Sequence, residues 1–71
     1  MQSTKIEIEL NGEKHAVSNG TTAADLIRDL GLREGMVAVE VNQKLVARGL
    51  RHETRLRAGD RVEVVTMMGG G

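Results

Sequence analysis

Lys5-Ile6-Glu7-Ile8-Glu9-Leu10-Asn11-Gly12-Glu13-Lys14-His15-Ala16-Val17 is the stretch that decides the fold of this chain. From Lys5 to Leu10 apolar and charged residues alternate strictly, the period of a strand with one buried face. Asn11-Gly12 follows, and both residues tolerate the positive φ that a two-residue type I′ turn requires. Glu13 to Val17 then returns as the second strand of a hairpin. In that register His15 lies opposite Ile8 and Val17 opposite Ile6, on the same face.

The pattern beyond the hairpin changes period. Asn19-Gly20 breaks the strand, and Thr22 with Asp25 three residues on has the spacing of a capping box. Ala23, Leu26, Ile27 and Leu30 fall on one helical stripe, with Arg28 and Asp29 turned away from it. Gly31 can end this helix in the left-handed conformation, and the spacing predicts about three turns. Met36-Val37-Ala38-Val39-Glu40-Val41 is β-branched and nearly all apolar, so it reads as a central strand covered in part on both sides. Asn42-Gln43 makes a turn, and Lys44 to Ala47 is a short strand. Residues 48–56 surround Leu50 and Leu56 with charge and read as irregular, with one helical turn. Gly59-Asp60 is a further turn. Arg61-Val62-Glu63-Val64-Val65-Thr66 is the last strand. The order β-β-α-β-β-β, with one helix able to cover one face, makes the fold α+β. It is the ubiquitin-like β-grasp arrangement: a mixed sheet of four to five strands packed on one helix. Residues 1–66 are expected to form the domain and 67–71 a flexible glycine tail.

Composition narrows the chemistry. The 71 residues suffice for one modest core. Ten basic and ten acidic residues balance to zero, which argues against a nucleic-acid arm or a membrane-surface patch. There is no cysteine, so no disulfide, thiolate metal site or cysteine nucleophile is available. There are no aromatics, so the core is aliphatic and base-stacking platforms are missing. With no secretory signal and no long apolar run, a soluble cytoplasmic protein is expected, monomeric when free.

Gly69-Gly70-Gly71 closes the chain two residues after the last strand. Terminal glycines are often frayed ends or expression scars. Here they form a short arm on a rigid body. Glycine can enter a narrow channel in a partner enzyme, and it leaves the terminal carbonyl carbon unhindered. Adenylation would turn that carboxylate into a good electrophile, and a sulfur nucleophile could then displace AMP. Glycines elsewhere, such as Gly12, Gly20, Gly31 and Gly35, lack phosphate-loop spacing. The chain is therefore expected to be a protein substrate, not an enzyme, with no metal or cofactor of its own.

Several segments together resemble the ThiS family of sulfur carriers, within the ThiS/MoaD ubiquitin-like group. They are Leu10-Asn11-Gly12-Glu13, Gly20-Thr21-Thr22, Val37-Ala38-Val39-Glu40-Val41-Asn42, Leu45-Val46, Gly59-Asp60-Arg61-Val62-Glu63-Val64-Val65 and the glycine end. The resemblance implies a β-grasp fold and adenylation of Gly71 by a ThiF-like activating enzyme, which would use ATP and magnesium. It also implies sulfur from a cysteine-desulfurase persulfide and delivery to a ThiG-like thiazole synthase, for the thiazole of thiamine. One stretch departs from the pattern. Where many ThiS-like proteins have a proline–arginine pair and soon a tryptophan, this chain has Ala47-Arg48-Gly49-Leu50-Arg51-His52-Glu53-Thr54, and only the arginine matches. Divergent carriers serve molybdopterin, tRNA thiolation or amino-acid routes, and these stay open. So does a ubiquitin-like modifier, which shares the activation step. A TGS-like regulatory or RNA-associated module would not need a free diglycine end.

The remaining polar residues carry weaker signals. His15 and His52 have no nucleophile or carboxylate partner at motif spacing and read as structural or solvent-exposed. Arg48, Arg51, Arg55, Arg57 and Arg61 read as a solvated surface interleaved with Glu53 and Asp60, or else as a docking patch for an acidic partner. If Val62 and Val64 face the core, Val65 and Met67 face outward beside the tail. With Met68 and Arg48 they are the expected partner-docking residues, unless they pack on a neighbouring strand or on Leu45.

Overall fold

The computed structural model describes residues 4–67. β1 (Lys5–Leu10) and β2 (Glu13–Ser18) form the hairpin. Asn11 and Gly12 take φ of 50° and 86°, as a type I′ turn demands. Ile6 pairs with Val17 and Ile8 with His15, the register read from the sequence. The Asn11 side chain then extends the sheet past the end of β1. Its amide nitrogen donates to the Val64 carbonyl at 3.2 Å, and its oxygen accepts the Val64 N–H at 2.9 Å.

α1 (Ala23–Asp29) starts at a complete capping box. The Thr22 hydroxyl accepts from the Asp25 N–H at 3.1 Å, and the Asp25 carboxylate accepts from the Thr22 N–H at 3.1 Å. At the other end Gly31 has φ 76°, and its N–H donates to Arg28 while that of Leu32 donates to Ile27. This paired closure stops the helix at seven residues, about two turns rather than three. The apolar stripe survives because Leu30 is the C-cap and still packs on the core.

The other strands are β3 (Val37–Val41), β4 (Lys44–Leu45) and β5 (Arg61–Thr66). Sheet order is β2-β1-β5-β3-β4. β5 runs parallel to β1 and antiparallel to β3, so the sheet is mixed. α1 lies across one face, and its Leu26 and Ile27 meet Ile8, Val39 and Val62, all essentially inaccessible to water. Each such side chain contributes about 1.5–3 kcal/mol on burial. A hairpin and three further strands around one helix make this the β-grasp fold.

Three further expectations are corrected. Met36 belongs not to β3 but to a 3-10 turn, Glu34–Met36, that precedes it. β4 stops at Leu45, although the Val46 N–H still reaches the Val39 carbonyl at 2.9 Å. Residues 48–56 contain a six-residue 3-10 helix, Arg48–Glu53, more than one turn. After it, the Ala23 N–H donates to Thr54 and the Leu56 N–H to Thr21, each at 2.9 Å. Those bonds bring Leu56 into the core at the start of α1.

Candidate functional site

The exit of β5 is where the fold delivers the chain towards its glycine end. Val62 and Val64 sit under α1, so the odd residues of β5 face the uncovered side of the sheet. On that side Val65 pairs across to Ala38, Glu63 to Glu40, and Glu40 in turn to Leu45. Val65 is 60% exposed, Leu45 69% and Met67 49%. The three large apolar side chains are therefore in water, with Glu40 and Glu63 beside them. Glu40 and Glu63 form a like-charge cross-strand pair, a mildly destabilising arrangement.

The last described residue is still tied to the body. The Met67 N–H donates to the Met36 carbonyl at 2.7 Å, one step beyond the final strand pair, Val37 with Thr66. Gly69, Gly70 and Gly71, and with them Met68, lie outside the described residues. Arg48 is exposed and rests against Gly35, where a Cβ would stand 3.0 Å from its guanidinium Nη2.

Arg51 corrects the reading of a solvated arginine surface. It is 4% exposed. Its Nη1 donates to the Glu34 carbonyl and its Nη2 to the Val37 carbonyl, each at 2.7 Å. No carboxylate accompanies it, and its Nε–H has no partner among the described residues. The sequence carried no signal for it: three residues per turn set Arg51 in line both with exposed Arg48 and with half-buried Thr54. Arg48, Arg55, Arg57 and Arg61 are exposed as expected.

Other titratable groups are spread out. Asp25 is held below the usual carboxylate range by the Thr22 backbone N–H, then the Thr22 hydroxyl, and then Arg28. His52 lies 3.5 Å from Glu53 and Arg61 3.8 Å from Glu9, all partly or well exposed. His15 is half-buried beside Ile8. Among the described residues no three His, Asp or Glu side chains converge as a metal site.

A rigid sheet thus leads to an apolar, acid-rimmed face and an anchored strand end. Comparison with known proteins identifies the group it belongs to. The model of the ThiS family matches residues 4–71. The chain belongs to the ThiS family. This ThiS-family chain is accordingly a sulfur carrier. It resembles the crystal structure of the thiamine biosynthesis protein ThiS from Geobacter metallireducens, with a TM-score of 0.79 and 28% identity over 93% of this chain and 100% of that one. It is 42% identical over 66 residues to a thiazole synthase of Magnetococcus marinus, covering 93% of this chain but only 20% of that protein. The uncharacterized protein ycf40 of Pyropia yezoensis is 37% identical over the full length of both. The chain therefore spans about a fifth of its thiazole synthase relatives and the whole of its ycf40 relatives.

Proposed function

We propose that this carrier delivers sulfur for the thiazole of thiamine, as a thiocarboxylate on Gly71. One observation carries the choice of pathway. A stretch 42% identical to nearly all of this chain lies within a protein named thiazole synthase. Joining a carrier to the enzyme it serves raises the effective concentration of one for the other. A free carrier of the same family would then meet a separate ThiG-like synthase in the cytoplasm.

The chemistry requires partners. The Gly71 carboxylate attacks the α-phosphorus of ATP on a ThiF-like enzyme, with magnesium held there, and releases pyrophosphate. The terminal sulfur of a cysteine-desulfurase persulfide displaces AMP and forms an acyl disulfide. A thiol then cleaves the S–S bond reductively and leaves the thiocarboxylate. The chain's own contribution is to dock and to present Gly69-Gly70-Gly71. Val65 and Met67, with Met68 and Arg48, form the docking surface in this reading. Leu45 extends it, since it is exposed on the same side of the sheet as Val65.

Intact-mass analysis of the protein from its native host tests the proposal. The expected species has one oxygen replaced by sulfur, located at Gly71 by fragmentation. Conjugates to target lysines would instead establish a protein modifier. A chain that no host enzyme adenylates with ATP would refute both.

A further inference from the structure

We propose that Arg51 is a positioning residue for the tail: its guanidinium fixes the turn whose Met36 carbonyl anchors the chain at Met67. The role in catalysis rests on the adenylation reading above. The two carbonyls that Arg51 grips, Glu34 and Val37, bracket Met36 on both sides. Between those two 2.7 Å contacts, the Met36 carbonyl accepts the Met67 N–H, also at 2.7 Å. That is the last backbone hydrogen bond of the described chain before the glycines.

Arginine suits this task and is otherwise a costly choice. A planar guanidinium holds two acceptors at a fixed spacing, and its charge shortens both bonds. Burying that charge without a carboxylate carries a desolvation penalty that leucine or methionine would avoid if the site needed only filling. Arg48 adds a second hand. It lies over Gly35, the residue before Met36, in space that a Cβ would contest. Both arginines come from the 3-10 helix Arg48–Glu53, so that helix is coupled to the end of β5 through one short turn.

The consequence is geometric. Four residues follow Met67. At full extension each spans about 3.3–3.6 Å, so losing one anchored residue changes the reach of the terminal carboxylate by about that much. Reacting groups misplaced by about 1 Å can lose on the order of a hundredfold in rate.

The test compares wild type, Arg51→Met and Arg51→Lys in two measurements well below the melting temperature. The first is amide hydrogen exchange at Met67 and at Val64. The second is steady-state adenylation by the ThiF-like enzyme of the same organism, giving kcat and KM for the chain. In Arg51→Met, Met67 protection should fall about tenfold more than Val64 protection, since local opening is then separate from global unfolding. For this variant kcat should fall about tenfold or more while KM stays within about twofold, because Val65 and Leu45 of the docking face keep their places in β5 and β4. Arg51→Lys keeps the charge but not the fork and should fall between. If Arg51→Met does not fold, Arg51→Lys decides by the same two measurements. Protection lost equally at Met67 and Val64, or an unchanged kcat, overturns the proposal. Wild type that is never adenylated sinks the functional reading and the catalytic role of Arg51 with it, whereas wild type adenylated with unaffected variants sinks the Arg51 role alone.

Discussion

Asp25 closes the capping box of α1 and pairs with Arg28 at 2.6 Å. Hydrogen bonds from Thr22, and then the Arg28 charge, lower its pKa from the ordinary 3.8. The folded state therefore releases this proton more readily than the unfolded chain does. Its stabilising contribution is fully present above the unfolded value of 3.8 and is lost as pH falls through the lower folded value. Denaturant titrations over a series of acidic pH values should show wild type losing stability there. Asp25→Asn should flatten that part of the profile, and parallel profiles would refute the assignment. Thr22→Ala removes the hydroxyl cap and should cost about 1 kcal/mol at neutral pH. Both residues were legible in the sequence because a capping box is local, its ends three positions apart. Arg51 was not. Patterning reads a charge as a surface residue, and its acceptors at Glu34 and Val37 lie 17 and 14 positions away.

The two hairpin turns show where element-level reading succeeds and where it falls short. Asn11-Gly12 announces its turn, and the β1–β2 register follows from it residue by residue. Asn42-Gln43 closes β3 onto β4 with φ of 53° and 70°, so a glutamine occupies left-handed backbone that favours glycine. Asn42 has a separate use. Its amide donates to Asp60 and accepts the Arg61 N–H, each at 3.0 Å, which binds this turn to the start of β5. Gln43 has no such bond among the described residues. Gln43→Gly should therefore stabilise the domain by roughly 0.5 kcal/mol, the relief of strain less the entropy glycine adds to the unfolded chain. Thermal unfolding should show a rise of roughly 2–4 °C, and a fall would mean that the Gln43 side chain is needed. The helix, the hairpin and β5 were legible because their periods are local. The ends of β3 and β4 and the 3-10 helix were not, since tertiary bonds decide them, and α1 came out shorter because its closing bonds reach back to Arg28 and Ile27. Met36 lies in a turn gripped by Arg51, and Leu56 enters the core through its own bond to Thr21 and the bond from Ala23 to Thr54. At the candidate site, alternation in β5 already turned Val65 outward. The anchor at Met36 had no sequence signature, because it depends on β3 lying next to β5.

At the scale of the whole molecule, one helix covers one face of a five-stranded sheet, and the other face is left to water. That open face is divided. Towards the exit of β5 it carries Ala38 and Val65, and the next row down is Glu63, Glu40 and Leu45, with the two carboxylates directly opposite each other. Neither carboxylate has an ion-pair partner within 4 Å among the described residues. A partner that covers the apolar part and offers a cation to the acidic part would bury the first and relieve the second. The free domain should hardly notice changes there, since exposed strand positions differ by under about 1 kcal/mol. Val65→Ser should therefore leave the melting temperature nearly unchanged while raising KM for adenylation about tenfold, the effect of losing about 1.4 kcal/mol at an interface. Salt should act in the same direction. Raising ionic strength screens the carboxylate–cation attraction and should raise KM for wild type, but less for a Glu40→Gln, Glu63→Gln double variant. Titrating salt against KM for the two proteins separates the contributions, because screening reaches the charges and leaves Val65 alone. Equal salt slopes would remove the charge half of this account, and an unchanged KM in Val65→Ser would remove the apolar half. The tail would then have to find its enzyme by the glycines alone, without help from the sheet that carries them.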